Sequence, residues 1–448
     1  MDMWTKFAKT GYEDQDWPQL LNHELNVVPI VKGLDPLNIS LVENDPFHDT
    51  CDDVNTTSGV VRGQVVQVLD KDVDQFLGIP YAVPPLGNLR FAKPQPIQKP
   101  YPDIIDATKP KNWCIQPINI PGLNASEDCL VLNIWSPSSA SNELKPVMFW
   151  IHGGALVLGS IFQDIYDGSV LATRDLVIVS TNYRLGQFGY LYGDREDAPG
   201  NVGFYDQLLA LKWVKENIHQ FGGDSDQITI FGESAGSWSV SAHILSPLSK
   251  GLYKRAIMQS GAHLYNKDND VVSKAEALSR AKQIAKQLNC SETEDWLQCL
   301  RKVDANELSK YSRNPTYPVL GTEFLPISAQ KAFETKKFNS DIDLMAGINR
   351  DEGSMFINGF IKDINNMTLQ DFTTGVKGLD AVYHGIDTQK VSDYYLKNVN
   401  TSKPLYLRFA FSDLVGDLAL KCPTYSFAKQ FAIAVKDMHR VYFYELFY

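Results

Sequence analysis

The sequence predicts an α/β fold built on a mostly parallel central sheet with helices on both faces. Three observations carry this. The runs Pro146–Ile151 and Leu176–Ser180 are apolar on both faces, as parallel strands covered on two sides usually are. Runs of this kind alternate with helix-periodic stretches along most of the chain. Hydrophobic residues make up 44% and charged residues 21% of the 448, an ordinary globular balance with enough apolar material for a large core.

Taken in order, residues 1–58 stand apart. Their first part has helical character and ends at Trp17-Pro18, and Asn22 to Ser58 is polar, Pro- and Asp-containing and loop-like. From Gly59 the pattern turns to β, with Val60–Leu69, Phe76–Gly78 and Leu130–Trp135 ahead of the two buried runs. Phe204–Ile218 reads as an amphipathic helix, Gln227–Phe231 as a short strand, Ser237–Leu245 as a helix and Arg255–Met258 as a strand. Residues 272–335 read as largely helical, Ile342–Gly347 as a strand and 353–435 as mostly helix with loops. An aromatic-rich strand, Arg440–Tyr448, comes last.

Composition excludes some functions. Lys plus Arg number 42 against 53 Asp plus Glu, a formal charge of −11, and no basic run offers a footprint for a phosphate backbone. Nucleic acid is therefore not an expected partner. No stretch reaches the ~18 apolar residues of a membrane span, and the N-terminus lacks the apolar core of a signal peptide. The body nonetheless reads as secretory. Its six cysteines include two closely spaced pairs without a CxxC, and N-x-S/T sequons begin at Asn38, Asn55, Asn124, Asn289, Asn366 and Asn400. No metal or cofactor motif is present.

Chemistry concentrates at Gly232-Glu233-Ser234-Ala235-Gly236. This G-x-S-x-G sequence directly follows an apolar strand and directly precedes a helix, the context in which a sharp turn lifts a serine hydroxyl off the sheet edge. Ser234 is the candidate nucleophile. Acyl transfer also needs donors for a developing oxyanion. His152-Gly153-Gly154-Ala155 follows a buried strand and can aim the amides of Gly154 and Ala155 at the site, with the amide of Ala235 as a third donor. His152 itself reads as a support for the turn.

GGDSDQITIFGESAG, with Phe221 just before it, resembles the signature of type-B carboxylesterases and cholinesterases. So do FLGIPYAVPPLGNLRF (76–91), SEDCLVLNIW (126–135), FWIHGGA (149–155), NYRLGQFGYL (182–191) and PGNVGFYDQLLALKWVKENI (199–218). The resemblance runs from about Gly59 to the last residue and implies an α/β-hydrolase fold, a carboxylic-ester substrate and a Ser-His-Glu mechanism without a cofactor. It places the triad acid at Glu352, within GINRDEGSMF (347–356). It implies disulfides Cys114–Cys129 and Cys290–Cys299, and structural ion pairs Arg90–Glu127 and Arg184–Asp206. Ala155 replaces the third glycine of the commoner triplet, and Val131 stands where an aromatic is frequent.

The family's catalytic histidine lies in a His-Gly segment beyond the strand that VYFYELFY (441–448) resembles. None of the eight histidines, at 23, 48, 152, 219, 243, 263, 384 and 439, occupies such a place. MDMWTKFAKTG with Trp17-Pro18 resembles the family's extreme C-terminal region. The expectation is thus a tail-and-linker remnant over residues 1–58 and an esterase domain over 59–448, lacking its base and nearly inert as it stands. A circularly permuted unit, in which Cys51 and Cys422 pair, is the alternative arrangement. A non-catalytic cholinesterase-like adhesion or binding protein is the alternative function, disfavoured because Ser234, Glu352 and the Gly-Gly loop are all present. A choline ester is the weaker substrate expectation, since the Cys114–Cys129 loop holds no Trp to bind a quaternary ammonium.

Overall fold

The computed structural model describes residues 2–11, 51–118, 124–138, 143–264, 271–290, 295–313 and 316–447. Nine strands form its central sheet. In chain order they are β1 (Gln64–Val68), β2 (Lys71–Pro80), β3 (Val131–Pro137), β4 (Lys145–Ile151), β5 (Val177–Thr181), β6 (Gly223–Glu233), β7 (Arg255–Gln259), β8 (Asp343–Asn349) and β9 (Val441–Leu446). Their spatial order is β9-β8-β7-β6-β4-β5-β3-β2-β1. Pairing is parallel from β9 through to β5 and antiparallel from β5 to β1.

The doubly apolar strand sequences explain the two cores. Val147, Phe149 and Ile151 of β4 alternate with Met148, placing the first three in one buried cluster and Met148 in another. Val177 and Val179 against Ile178 in β5, and Ile228 and Ile230 against Phe231 in β6, repeat the division. Period-two alternation between two packed faces is what a central parallel strand requires.

The larger cluster is closed by α2 (Val202–Asn217) and α3 (Ala235–Leu245). Helix α2 departs from the amphipathic expectation, because Phe204, Asp206, Gln207, Leu208, Ala210, Leu211, Trp213 and Val214 are all buried. It is enclosed by protein on nearly every side, so its polar residues need partners. Arg184 supplies the main one, donating Nε (2.8 Å) and Nη2 (2.7 Å) to the two Asp206 oxygens. Gln207 bridges Ser239 and His243. Arg90 binds Glu127 through Nε at 2.7 Å and reaches the Val303 carbonyl at 2.6 Å, tying two distant segments together.

The smaller cluster is covered in part by α1 (Asp2–Thr10). Met3, Phe7 and Ala8 are buried against residues of β4, β6, β7, β8 and β9, including Met148, Phe231, Ile257, Met345 and Tyr442. Phe7 meets Tyr442 edge-on, Trp4 tilts onto Tyr444, and Arg255 donates to the Ala8 carbonyl at 3.0 Å. The helix stops at Gly11, whose N–H closes on the Phe7 carbonyl and whose positive φ of 69° then turns the chain out of the helix. Trp17-Pro18 lies outside the described residues. At the other boundary, Val54–Thr56 pairs with Gly59–Arg62, so strand pairing extends upstream of Gly59.

Cys114–Cys129 and Cys290–Cys299 are disulfides with Cα separations of 5.0 and 5.6 Å. Cys51 and Cys422 do not pair, and both are free. The first has Asp74 and Gly63 for neighbours and the second Asp417 and Lys421, so the two thiols belong to different regions. No helix of the described residues is long and apolar enough to cross a membrane.

Phe7→Ala removes a fully buried ring from the face of the sheet. It should cost about 3–5 kcal/mol of unfolding free energy in a denaturant titration. A loss within ~0.5 kcal/mol would show that α1 is not seated on the sheet in solution.

Candidate active site

The site grows from the end of β6. There the chain turns through Gly232–Gly236 into α3, and Ser234 adopts φ 55° and ψ −119°. A residue with a Cβ holds such a conformation only where its surroundings over-determine it. The Ser234 N–H donates to the Gln259 carbonyl and its own carbonyl accepts from Trp238 N–H, both at 2.9 Å. Gly236 lies so close to the Ile151 carbonyl that a Cβ there would overlap it. The sharp turn therefore depends on glycine at that contact.

The loop after β4 closes on the turn from the side. A Cβ on Gly153 would stand 3.3 Å from Ser234 Cβ and 2.8 Å from Glu233 Oε2. Gly154, Ala155 and Leu156 pass through φ values of 108°, 55° and 61°, and the Val157 and Leu158 amides close the turn on the Gly154 carbonyl at 3.0 and 2.9 Å. The amides of Gly154 and Ala155 find no acceptor among the described residues. Consecutive amides in turns of this kind suit an anion. Ala235 opens α3, so its amide is among the donors a helix start leaves without an intrahelical partner.

Glu352 begins a short 3₁₀ turn, Glu352–Met355, after β8. Its Oε1 accepts from the Asn349 N–H at 2.8 Å and from Ser260 Oγ at 2.5 Å. Ser260 follows β7, has φ 59° and donates its N–H to the Gly347 carbonyl. Sequence reasoning missed it, because only the parallel pairing of β7 with β8 brings the two loops together. Glu233 opens to solvent at the cleft, yet surrounding protein and the negative charge of Glu352 push its pKa up to about 7.

The carboxylesterase family matches residues 50–448. The chain belongs to this family of serine hydrolases, which has the α/β-hydrolase fold. It is 37% identical to the acetylcholinesterase of Bungarus fasciatus over 87% of this chain and 68% of that protein. It is 38% identical to the cholinesterase of Mus musculus over 85% of this chain and 67% of that one. For the acetylcholinesterase of Electrophorus electricus the figures are 36%, 90% and 68%.

Within this esterase frame the described histidines have the following surroundings. His152 is buried, its Nδ1 bonds the Gly153 carbonyl at 2.8 Å, and its ring stacks on Tyr183 at 4.4 Å, so it supports the glycine loop. Burial pushes its pKa down to about 4. His243 is likewise buried between Ser249 and Gln207, with its pKa down at about 3. His263 packs against Phe204 and Trp238. His439 contacts Asp341 and Asp343, and His219 contacts Gln220. His384 ends the helix Leu369–Tyr383. His23 and His48 lie outside the described residues.

Two histidines buried neutral make the fold acid-sensitive. Below about 6.5 the unfolded chain takes up protons that His152 and His243 resist down to about 4 and about 3. Stability should therefore fall as pH drops from about 6.5 toward 4, opposed in part by Glu233, which favours the folded state as it protonates from about 7 downward. Thermal melts across this window should show Tm falling by several degrees, and less steeply in His243→Gln. A flat profile would contradict the assignment.

Proposed function

We propose that Ser234 is the nucleophile of a carboxylic-ester hydrolase, with Glu352 as the acid that orients an imidazole. The amides of Gly154, Ala155 and Ala235 form the oxyanion hole. In this reading Ser234 Oγ attacks the ester carbonyl and passes its proton to the imidazole. The three amides hold the negative oxygen, the tetrahedral centre collapses, and the alcohol leaves with the proton. Water then takes the alcohol's place and releases the acid. The supporting observation is the strained turn at Ser234, set against a glycine loop with unused amides. Among the described residues, both hydrogen bonds to the Glu352 carboxylate fall on Oε1, which leaves Oε2 for the imidazole N–H.

None of the eight histidines in the sequence matches the place of the family's catalytic histidine, so very slow turnover by this chain belongs to the proposal. Loss of the base costs about 10⁶-fold in turnover in a serine protease. The cholinesterase relatives suggest a choline ester, but the Cys114–Cys129 loop has no Trp, and an uncharged ester is preferred here. Two disulfides and five exposed sequon asparagines, Asn55, Asn124, Asn289, Asn366 and Asn400, support passage through an oxidising secretory compartment. Residues 1–58 are read as esterase tail plus linker, a reading consistent with the docking of α1 on the sheet.

The test is chemical rescue with 4-nitrophenyl acetate. Turnover by the chain alone should be negligible. Added imidazole should raise it above the buffer-plus-imidazole rate, and Ser234→Ala should remove that increment. Robust unaided turnover abolished by Ser234→Ala would show that a base is already in place. An imidazole increment unchanged in Ser234→Ala would remove Ser234 from the role of nucleophile.

A further inference from the structure

At the edge that carries Ser234, one row of residues crosses four parallel strands. Glu233, Gln259, Gly347 and Tyr444 stand in register on β6, β7, β8 and β9. Residues in register on parallel strands share a face, as do residues two apart on one strand. This face is the one α1 covers, since Phe231, Ile257, Met345 and Tyr442, two residues earlier, belong to the cluster that includes Met3 and Phe7. Gly347 leaves a gap in the row and the Tyr444 ring lies across it, so that a Cβ on Gly347 would fall 2.2 Å from Tyr444 Cζ.

Tyr444 therefore reaches over β8. Its hydroxyl meets the side chain of Gln259 on β7 and that of Trp4 on α1. The Trp4 and Tyr444 rings are 6.3 Å apart and tilted by 56°. Helix α1 runs along β7, with the Ala8 carbonyl on Arg255 at the start of that strand and Trp4 near Gln259 at its end. The two residues that Tyr444 touches supply the carbonyls that anchor the site. Gln259 accepts the Ser234 N–H at 2.9 Å, and Gly347 accepts the Ser260 N–H at 2.8 Å. Ser260 Oγ in turn holds Glu352. A helix of nine residues is marginal by itself, so α1 keeps its helix only while seated on the sheet.

We propose that α1 is a positioning element of the active site, with Trp4 and Tyr444 as its positioning residues. Trp4 holds the Tyr444 ring over Gly347 and against Gln259. The carbonyls of those two residues then keep the Ser234 turn and the Ser260–Glu352 contact in place. The consequence for turnover rests on the esterase reading, whereas the effect on the two turns does not.

The experiment pairs amide hydrogen exchange with imidazole-dependent hydrolysis of 4-nitrophenyl acetate, and far-UV circular dichroism confirms that each variant is folded. Trp4→Ala should speed exchange in the peptides that carry Ser234 and Ser260 and leave β4 and β5 unchanged. It should lower kcat about tenfold with KM unchanged, as misplacement of reacting groups does. Trp4→Phe, which keeps a ring on Tyr444, should restore both. Leu297→Ala, a fully buried site in a different cluster, lowers stability without touching this row and should leave both unaltered. Exchange unchanged in Trp4→Ala, kcat unchanged despite faster exchange, or the same changes in Leu297→Ala would overturn the proposal. Faster exchange in Trp4→Ala, with no Ser234-dependent turnover in the unaltered chain, would uphold the positioning of the turns and overturn the esterase reading instead.

Discussion

The backbone turn at Ser234 is the constraint on which the rest of the site depends. Its φ of 55° is unfavourable for a serine, and it persists because β6 is fixed on both sides by parallel neighbours, β4 and β7. The Gln259 carbonyl at the end of β7 captures the Ser234 amide. The last residue of β4 presses its carbonyl against Gly236. Each neighbour then contributes the loop that follows it: β4 the glycine turn with its unused amides, and β7 the Ser260 hydroxyl that holds Glu352. Sheet pairing thus positions groups that are far apart in the chain.

The electrostatics follow from the same geometry. Two carboxylates, Glu233 and Glu352, stand at the ends of β6 and β8, and they are treated differently. Glu352 receives two donors on one oxygen. Glu233 is given Glu352's charge and a partly dry setting, which makes its proton hard to lose near neutrality. Away from the cleft, Arg184 with Asp206 and Arg90 with Glu127 form enclosed ion pairs. Breaking such a pair from one side leaves a buried charge, so these pairs bear on folding more than on chemistry.

Much of this was legible in the sequence because it is written locally. The apolar runs foretold β4 and β5, GESAG between a strand and a helix foretold the turn at Ser234, and closely spaced cysteines foretold both disulfides once the family was identified. What escaped was non-local. Ser260 carries no motif and becomes a partner of Glu352 only through strand order. Helix α2 has the spacing of a surface helix but is enclosed, since its buried Asp206 and Gln207 are satisfied by Arg184, Ser239 and His243 from other elements. The seat of α1 could not be read from its own composition, because the apolar face beneath it is assembled from five strands. Nor could spacing show that Cys51 and Cys422 remain apart.

The central claim is that the turn at the end of β6 presents an acylatable hydroxyl to a pre-formed set of amide donors. The most direct test is intact-mass and peptide mapping after prolonged exposure to an aryl phosphonofluoridate in the presence of imidazole. Its tetrahedral adduct places a phosphoryl oxygen where the oxyanion would sit. The account predicts one adduct per chain, on Ser234, and none in Ser234→Ala. Modification spread over surface tyrosines and lysines with Ser234 unlabelled would contradict it.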